Sequence, residues 1–583
     1  MNTRSSRAAA AMLLAGALLL ATACGGPDTA GVGGSGRGGF GRSGAPSATA
    51  NDINPMPRDR LRDGGTFTWP LDEMPADFNL NELDGNLQTG MWAVTGSLLP
   101  VAYNNDAAGV PVWNPDLLAS EPTLVTEPQQ VVTYEINPKA VWYDGTPITW
   151  QDFYWQWKAL NGTNPAYRIT SANGFENIES VERGKDDREV VVTYARPFAD
   201  WQSLFFPLYP ASTNKDPAIF NDGWREKPLT TAGPFKLASI DRTTKTITLV
   251  RNEKWWGEPA KLDRVVFRVI VPDAQIDALA NGEVDAVDIG SNASMYLRAS
   301  QIEGVDVRVA GGPNFSHLTI NGTSPNLSDV RVRRALAMGI DRAAIARALI
   351  GPLGLDPQPL GNHVFMLNQE GYRDDSGEVG TYDPSKAAAL LDEAGWKLDG
   401  GVRKKDGRPL EIDAVIPAAT QSSRQIVELV QNMLGQIGVR VNIDAAPGDD
   451  FFDKYVKAGQ YDITVFAWMG TPYPISSVKS IYAMPTKNAD GTVNIQQNFA
   501  RIGSAELDEA FLRAGAEFDR AKAQELANEA DAMIWQEVHS ITLYQRPDVV
   551  PTKKGLANFG AFGFQTPWPY QDIGWVAEPE SPQ

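Results

Sequence analysis

A single cysteine in 583 residues, Cys24, means that no disulfide can staple any part of this chain, so whatever folds must be held by hydrophobic cores. Its position narrows matters further. Cys24 stands directly behind an apolar run, Ala8 to Ala23, that follows the positive charges of Arg4 and Arg7. That run of 16 residues is shorter than the roughly 20 needed to cross a bilayer core, which favours an export signal over a permanent span. Residues 1–23 therefore read as a signal peptide, with Ala21, Thr22 and Ala23 small enough for a cleavage pocket, and the rest is expected outside the cytoplasm. A plain secretory signal with an incidental cysteine is the alternative. Residues 24–60 are dominated by Gly, Ser, Pro, Ala, Asp and Asn with almost nothing to bury, the composition of a flexible tether.

The chain is 43% hydrophobic, and the body of roughly 520 residues behind the tether is too long for one core, so two or three structural domains are expected. A net charge of −19 opposes the phosphates of nucleic acid and favours a soluble body, expected to be monomeric. No second stretch reaches transmembrane length.

Along the body, Thr66-Phe67-Thr68-Trp69 alternates like an edge strand and leads through Asn79, Asn81 and Asp84-Gly85-Asn86 into an apolar stretch around Trp92. Thr149-Trp150-Gln151-Asp152 predicts a helix start, with the threonine hydroxyl and the aspartate three residues later capping the first turn reciprocally. Strand-like Phe235–Leu237, Thr246–Val250 and Val265–Ile270 precede a helix from Asp273 to Asn281. One periodic helix is expected over 329–350, a βα pattern over 410–462, a long helical stretch near 505–539 and a last strand at Ile541–Tyr544. Mixed sheets faced by helices, an α/β class, follow from this order. No fixed period repeats, which disfavours solenoids and propellers.

Little in the chain suggests covalent chemistry. The three histidines, His317, His363 and His539, have no metal-ligand spacing, and GxSxG, HExxH and GxxxxGK[ST] motifs are absent, so neither a catalytic residue nor a metal or other cofactor is expected. His317 lies in a strand-like segment and reads as a satisfied structural histidine. A carboxylate pair for glycoside hydrolysis is a spatial property and stays open, although Asp144, Asp152 and Asp285 are each accounted for by a turn, a cap and a strand start. The 16 tryptophans suit either core packing or ligand stacking.

Five motifs occur in a fixed order: Ala140-Val141-Trp142-Tyr143-Asp144-Gly145-Thr146-Pro147-Ile148-Thr149-Trp150-Gln151-Asp152-Phe153, Thr231–Phe235, Leu249–Gly257, Ala280–Asp285 and Val330–Arg342. With Tyr461-Asp462-Ile463 running to Trp468, this series resembles the peptide-type, or family 5, extracytoplasmic solute-binding proteins of ABC importers over about residues 65–575. The start of the chain is similar to the lipobox of bacterial lipoproteins, in which the cysteine thiol is diacylated, although Ala21 stands where leucine is usual. What the resemblance implies is an α/β periplasmic-binding-protein-like fold of the class II, cluster C type, with two large lobes, a hinge and a small inserted lobe. Residues 60–102, 206–311 and 536–575 would form the discontinuous main lobe, 103–205 the small lobe and 312–535 the second, ligand-clamping lobe. It further implies hinge closure on a small solute, an oligopeptide by first choice, and delivery to membrane permease subunits, with a lipid on Cys24 as the anchor.

By the same resemblance, Asp84, Gly85 and Asn86 would supply one wall of the site, and Trp468, Met469, Gly470, Thr471 and Tyr473 the other, with Tyr544 an additional wall residue. The family's peptide binders carry an aspartate three residues after the tryptophan, paired with the ligand's ammonium terminus. Here that position is Thr471, followed by Pro472. A buried ammonium without a carboxylate would lose several kcal/mol, so either Asp84 supplies the charge or the cargo lacks a free amino terminus. A non-peptide solute, a non-transporting envelope regulator and, further off, a glycoside or peptide hydrolase are the alternatives.

Overall fold

The computed structural model describes residues 51–577 apart from 87–89, 356, 419, 448–449, 488–490 and 492. The segment expected to be an export signal, and Cys24, lie outside the described residues.

The alternation at Thr66–Leu71 becomes the edge strand of a four-stranded sheet, followed in space by Arg264–Val269, Thr246–Arg251 and Phe235–Asp241. The first pair is parallel, with Phe67 opposite Val265, and the other two are antiparallel. Phe67, Trp69 and Leu71 point inward with Val265, Phe267, Ile247 and Leu249. A second four-stranded sheet orders Thr123–Val125, Val131–Glu135, Glu189–Tyr194 and Ile178–Arg183. Against it lies the helix Trp150–Leu160, whose reciprocal cap forms as expected: Thr149 Oγ1 accepts from Gln151 N at 3.4 Å and Asp152 Oδ2 from Thr149 N at 2.7 Å. Val132, Tyr134, Phe153 and Val192 of this sheet and helix join the same core as Phe67 and Trp69, so the segment 103–205 has no separate core of its own.

The third sheet runs Arg440–Ala446, Glu411–Pro417, Ile463–Met469, Val305–Ile320 and Ser540–Lys553. Its last two strands are long and touch both cores, Ala310 and Val550 the first, Leu318, Ile320, Ile541 and Leu543 the second. They pair antiparallel from Val305 opposite Lys553 to Gly311 opposite Pro547, lose register, and resume from Phe315 opposite Gln545 to Thr319 opposite Ser540. The break over Gly311–Phe315 interrupts the ladder beside Ala310 of the first core, and an interrupted ladder is a soft point in a backbone. The second core takes Leu318 and Ile320 with the helices of residues 330–350 and 421–436, and also Ile276, Leu279 and Ile289 from the segment preceding the crossing.

Three expectations change. Residues 51–60 do not belong to a tether: Ile53 is buried, Asp52 pairs with Arg308 at 3.2 Å and Arg58 with Asp572, so charge and one apolar anchor overcome a loop-like composition. The helix expected over 329–350 is two, Val330–Gly339 and Arg342–Ile350, because Asp341 leaves the helix to cap the second one, accepting from Ala344 N at 2.8 Å. The stretch near 505–539 divides the same way into Ala505–Ala516 and Arg520–Glu537, with Asp519 as the cap.

Asp548, one residue past the register break, sits half-buried with its Oδ2 accepting from Phe562 N at 3.0 Å. Burial first, and then the carboxylate of Asp288, push it from the ordinary 3.8 up to about 8. A folded pKa above the unfolded one means that the stability this group contributes is complete below pH 3.8 and is lost as the pH rises through about 8. Thermal melts should therefore fall less steeply over that window in Asp548→Asn than in wild type. Parallel curves would contradict the assignment.

Candidate functional site

The strand Ile463–Met469 is paired along its full length with Asn314–Ile320 on one side, but on the other only Ile463 and Thr464 find partners, Ala414 and Val415. From Val465 to Met469 that second edge has no strand against it among the described residues. Trp468 is held half-buried between two rings, parallel to His317 at 5.8 Å and to Phe499 at 5.7 Å. Met469 turns outward and is 72% exposed. Gly470 then approaches the crossing strand closely: its N–H donates to Pro313 O at 2.8 Å, and an added Cβ would lie 2.6 Å from that oxygen.

Beyond the glycine the chain turns into the helix Pro474–Tyr482. Thr471 is engaged locally, its hydroxyl donating to Ser477 Oγ at 3.0 Å and accepting from Tyr473 N at 3.2 Å, while its carbonyl accepts from Gln369 Nε2 at 2.9 Å. The same segment meets residues 103–205. Gly109, in the left-handed region, lies so near Pro472 that a Cβ there would be 3.2 Å from Pro472 Cα. Asp200 Oδ2 accepts from Ser476 N at 3.2 Å, and Ala199 N donates to Gly515 O at 2.9 Å. Asp200 thus caps a helix that belongs to the other side of the interface.

Asp84 and Gly85 lie in the short helix Leu83–Asn86. An added Cβ on Gly85 would come 2.0 Å from Asn79 O, so only glycine fits. The Asp84 carboxylate pairs with Arg225 at 2.6 Å, and Arg225 also serves Asp222 at 3.0 Å. Its charge is therefore answered from within the protein. Tyr544 does not line a wall: it is 1% exposed, faces Ser316 across the ladder and packs in the second core, because the strand turns this face inward. Sequence reading missed Asp200, Gly109 and Gln369, which come to the segment from distant parts of the chain; the turn composition Asp106–Gly109 was the only local signal.

The other polar candidates are structural. Asp144 Oδ1 closes its turn on Thr146 N at 2.9 Å, Asp152 caps a helix, and Asp285 accepts from Thr68 N at 2.7 Å and pairs with Lys553. His317 Nε2 bonds Thr319 Oγ1 at 2.8 Å, and burial holds its pKa down at about 3, so it stays neutral. Among the described residues no group of three or more His, Cys, Asp or Glu is placed to hold a metal, and no helix is long and apolar enough to cross a membrane.

Comparison with known proteins agrees with this architecture. The description "Bacterial extracellular solute-binding proteins, family 5 Middle" matches residues 113–490. An oligopeptide-binding protein, OppA, of Mycobacterium tuberculosis is 41% identical over 519 residues, covering 88% of this chain and 85% of that protein. A periplasmic EDTA-binding protein, EppA, superposes with a TM-score of 0.83 at 26% identity, over 92% of this chain and 100% of the other. The oligopeptide-binding protein AppA from Bacillus subtilis, solved with a nonapeptide, superposes at 0.72 with 18% identity, over 89% and 100%. The periplasmic-binding-protein-like fold, with two large lobes joined by crossing strands, is thereby shown, and the chain belongs to the family 5 extracellular solute-binding proteins, the receptor components of ABC transporters.

Proposed function

We propose that the cargo is an oligopeptide, received between the segments Asp84–Asn86 and Trp468–Tyr473 and passed to ABC permease subunits. The observation that carries this reading is the half-paired strand Val465–Met469, whose free edge is the kind of backbone surface to which an extended peptide adds as a further strand. The 41% identical oligopeptide-binding relative supports it. Residues 60–102, 206–311 and 536–575 would act as the main lobe, 103–205 as the small lobe and 312–535 as the clamp, closing about the break at Gly311–Phe315 as a monomer. Protein isolated from its native envelope and denatured should release peptides detectable by mass spectrometry. A metal chelate or another non-peptide solute in their place would overturn the peptide reading.

That second reading has an observation of its own, since Thr471 replaces an acid and Asp84 is spent on Arg225, leaving neither to meet a ligand's ammonium. The EDTA-binding relative carries a non-peptide ligand in its name on the same fold.

For the anchor, we propose diacylation of Cys24. Metabolic labelling with a palmitate analogue should mark the wild-type protein and not Cys24→Ala. Label in the alanine variant, or in neither, would refute it.

A further inference from the structure

Where residues 103–205 meet the clamp segment, the contact borders a partly open cavity of about 240 Å³. Its lining includes Asp200, Tyr473, Arg520 and Gln369 with the apolar Phe365 and Phe518. The cations nearby are already matched. Arg520 pairs with Glu370 at 3.0 Å and Lys522 with Glu517 at 2.5 Å. Asp200 is left without an ion-pair partner among the described residues; its carboxylate is met by Ser476 alone, whereas a carboxylate offers about four lone-pair sites. Beside it the hydroxyl of Tyr473 is buried without any hydrogen-bond partner among the described residues. The buried, unpartnered hydroxyl costs free energy unless water or a ligand satisfies it, and the half-buried carboxylate of Asp200, without a counter-ion, attracts a cation to the same cavity.

Both unmet groups can accept a hydrogen bond, and the anion among them is unbalanced. We propose that this cavity is a subsite for a primary ammonium group on a short aliphatic stem, with the Asp200 carboxylate as its counter-charge and the Tyr473 hydroxyl as a second acceptor. Taking about 30 Å³ for a water-sized group, the space suits roughly five to eight non-hydrogen atoms. Phe365 and Phe518 would cover the stem. Burial raises the carboxyl of Asp200, while hydrogen bonds from Ser476 and the charge of Arg520 draw it back; an ammonium in the cavity would draw it back further. Arg520 does not invert this preference, because Glu370 neutralises it. The cavity adjoins the proposed site through Pro472 and Tyr473, so the subsite rests on the solute-receptor reading, though not on the cargo being a peptide.

Two sets of probes keep the two apart. Saturation-transfer NMR on the full chain would compare n-butylammonium, n-butanol and butyrate, and calorimetry would compare tetra-alanine with its N-acetyl form. Asparagine also caps helices well, so Asp200→Asn should fold with its interface intact. Butylammonium should bind wild type at least about tenfold more tightly than butanol or butyrate. That preference should fall to about unity in Asp200→Asn and shrink in Tyr473→Phe, with butylammonium losing far more affinity than butanol in Asp200→Asn. If tetra-alanine fails to bind but the amine series behaves this way, the peptide reading falls and the subsite stands. If tetra-alanine binds and the amine series shows no preference, or keeps it in Asp200→Asn, the subsite is overturned and the peptide reading survives. Preference for butyrate overturns it as well.

Discussion

Replacing Arg342 with methionine should cost about 3–5 kcal/mol of stability, among the largest single-residue effects this protein can show. The guanidinium is buried and has no carboxylate in salt-bridge contact among the described residues. Its Nη1 donates to Leu360 O at 2.7 Å and Thr542 O at 3.2 Å, and its Nη2 to Gly380 O at 2.9 Å and Ser376 Oγ at 3.0 Å. The plane also lies 4.8 Å over the ring of Trp535. It therefore ties the helix Arg342–Ile350 to the loop before residue 384 and to the strand Ser540–Lys553, and methionine would take these donors from Thr542 O and Gly380 O and leave Leu360 O with the Thr542 hydroxyl. Lysine, a point charge with a narrower reach, should recover only part of the loss. Urea denaturation followed by tryptophan fluorescence reads both variants. A loss below about 1 kcal/mol for methionine would show that water or rearrangement replaces these bonds.

Gly470→Ala should damage binding more than its size suggests. Its N–H bond and the 2.6 Å approach of an added Cβ involve the same oxygen, Pro313 O, in the broken stretch of the ladder. A methyl group there cannot be relieved by rotating a side chain, so the strand end must shift away and carry Trp468 and Thr471 with it. Overpacking of this kind costs about 1–3 kcal/mol. Binding sites tolerate displacements of only about 0.5 Å, so affinity for the solute released from native protein should fall about tenfold or more. Calorimetric titration of that solute into both proteins decides the matter. Unchanged affinity would mean that the segment does not form a wall of the site.

Features that depend on a few consecutive residues were legible in the chain itself. Thr149 and Asp152 form their cap because each reaches only the first turn of its own helix, and the alternation of Phe67, Trp69 and Leu71 can bury one face in only one way. The order of the motifs identified the family for a related reason, since each marks a turn or cap that the scaffold needs. Helix lengths were less legible. The apolar period runs through Gly339 and Ile340, and only the capping of Ala344 by Asp341 shows that the backbone breaks there.

For the segments proposed as the site, the sequence shows the residue types and not what surrounds each side chain. The sequence by itself determined that the chain builds its cores without disulfides and that it follows the solute-receptor pattern with threonine where an acid is usual. Which charges remain free was decided by tertiary structure alone. Asp84 is neutralised by Arg225, 141 residues away, and Asp200 reaches the helix beginning at Pro474 across 276 residues. Tyr544 was turned inward by the register of a strand whose partner begins more than 200 residues earlier. Charge balance and burial are sums over everything nearby in space, and a linear pattern constrains only neighbours along the chain.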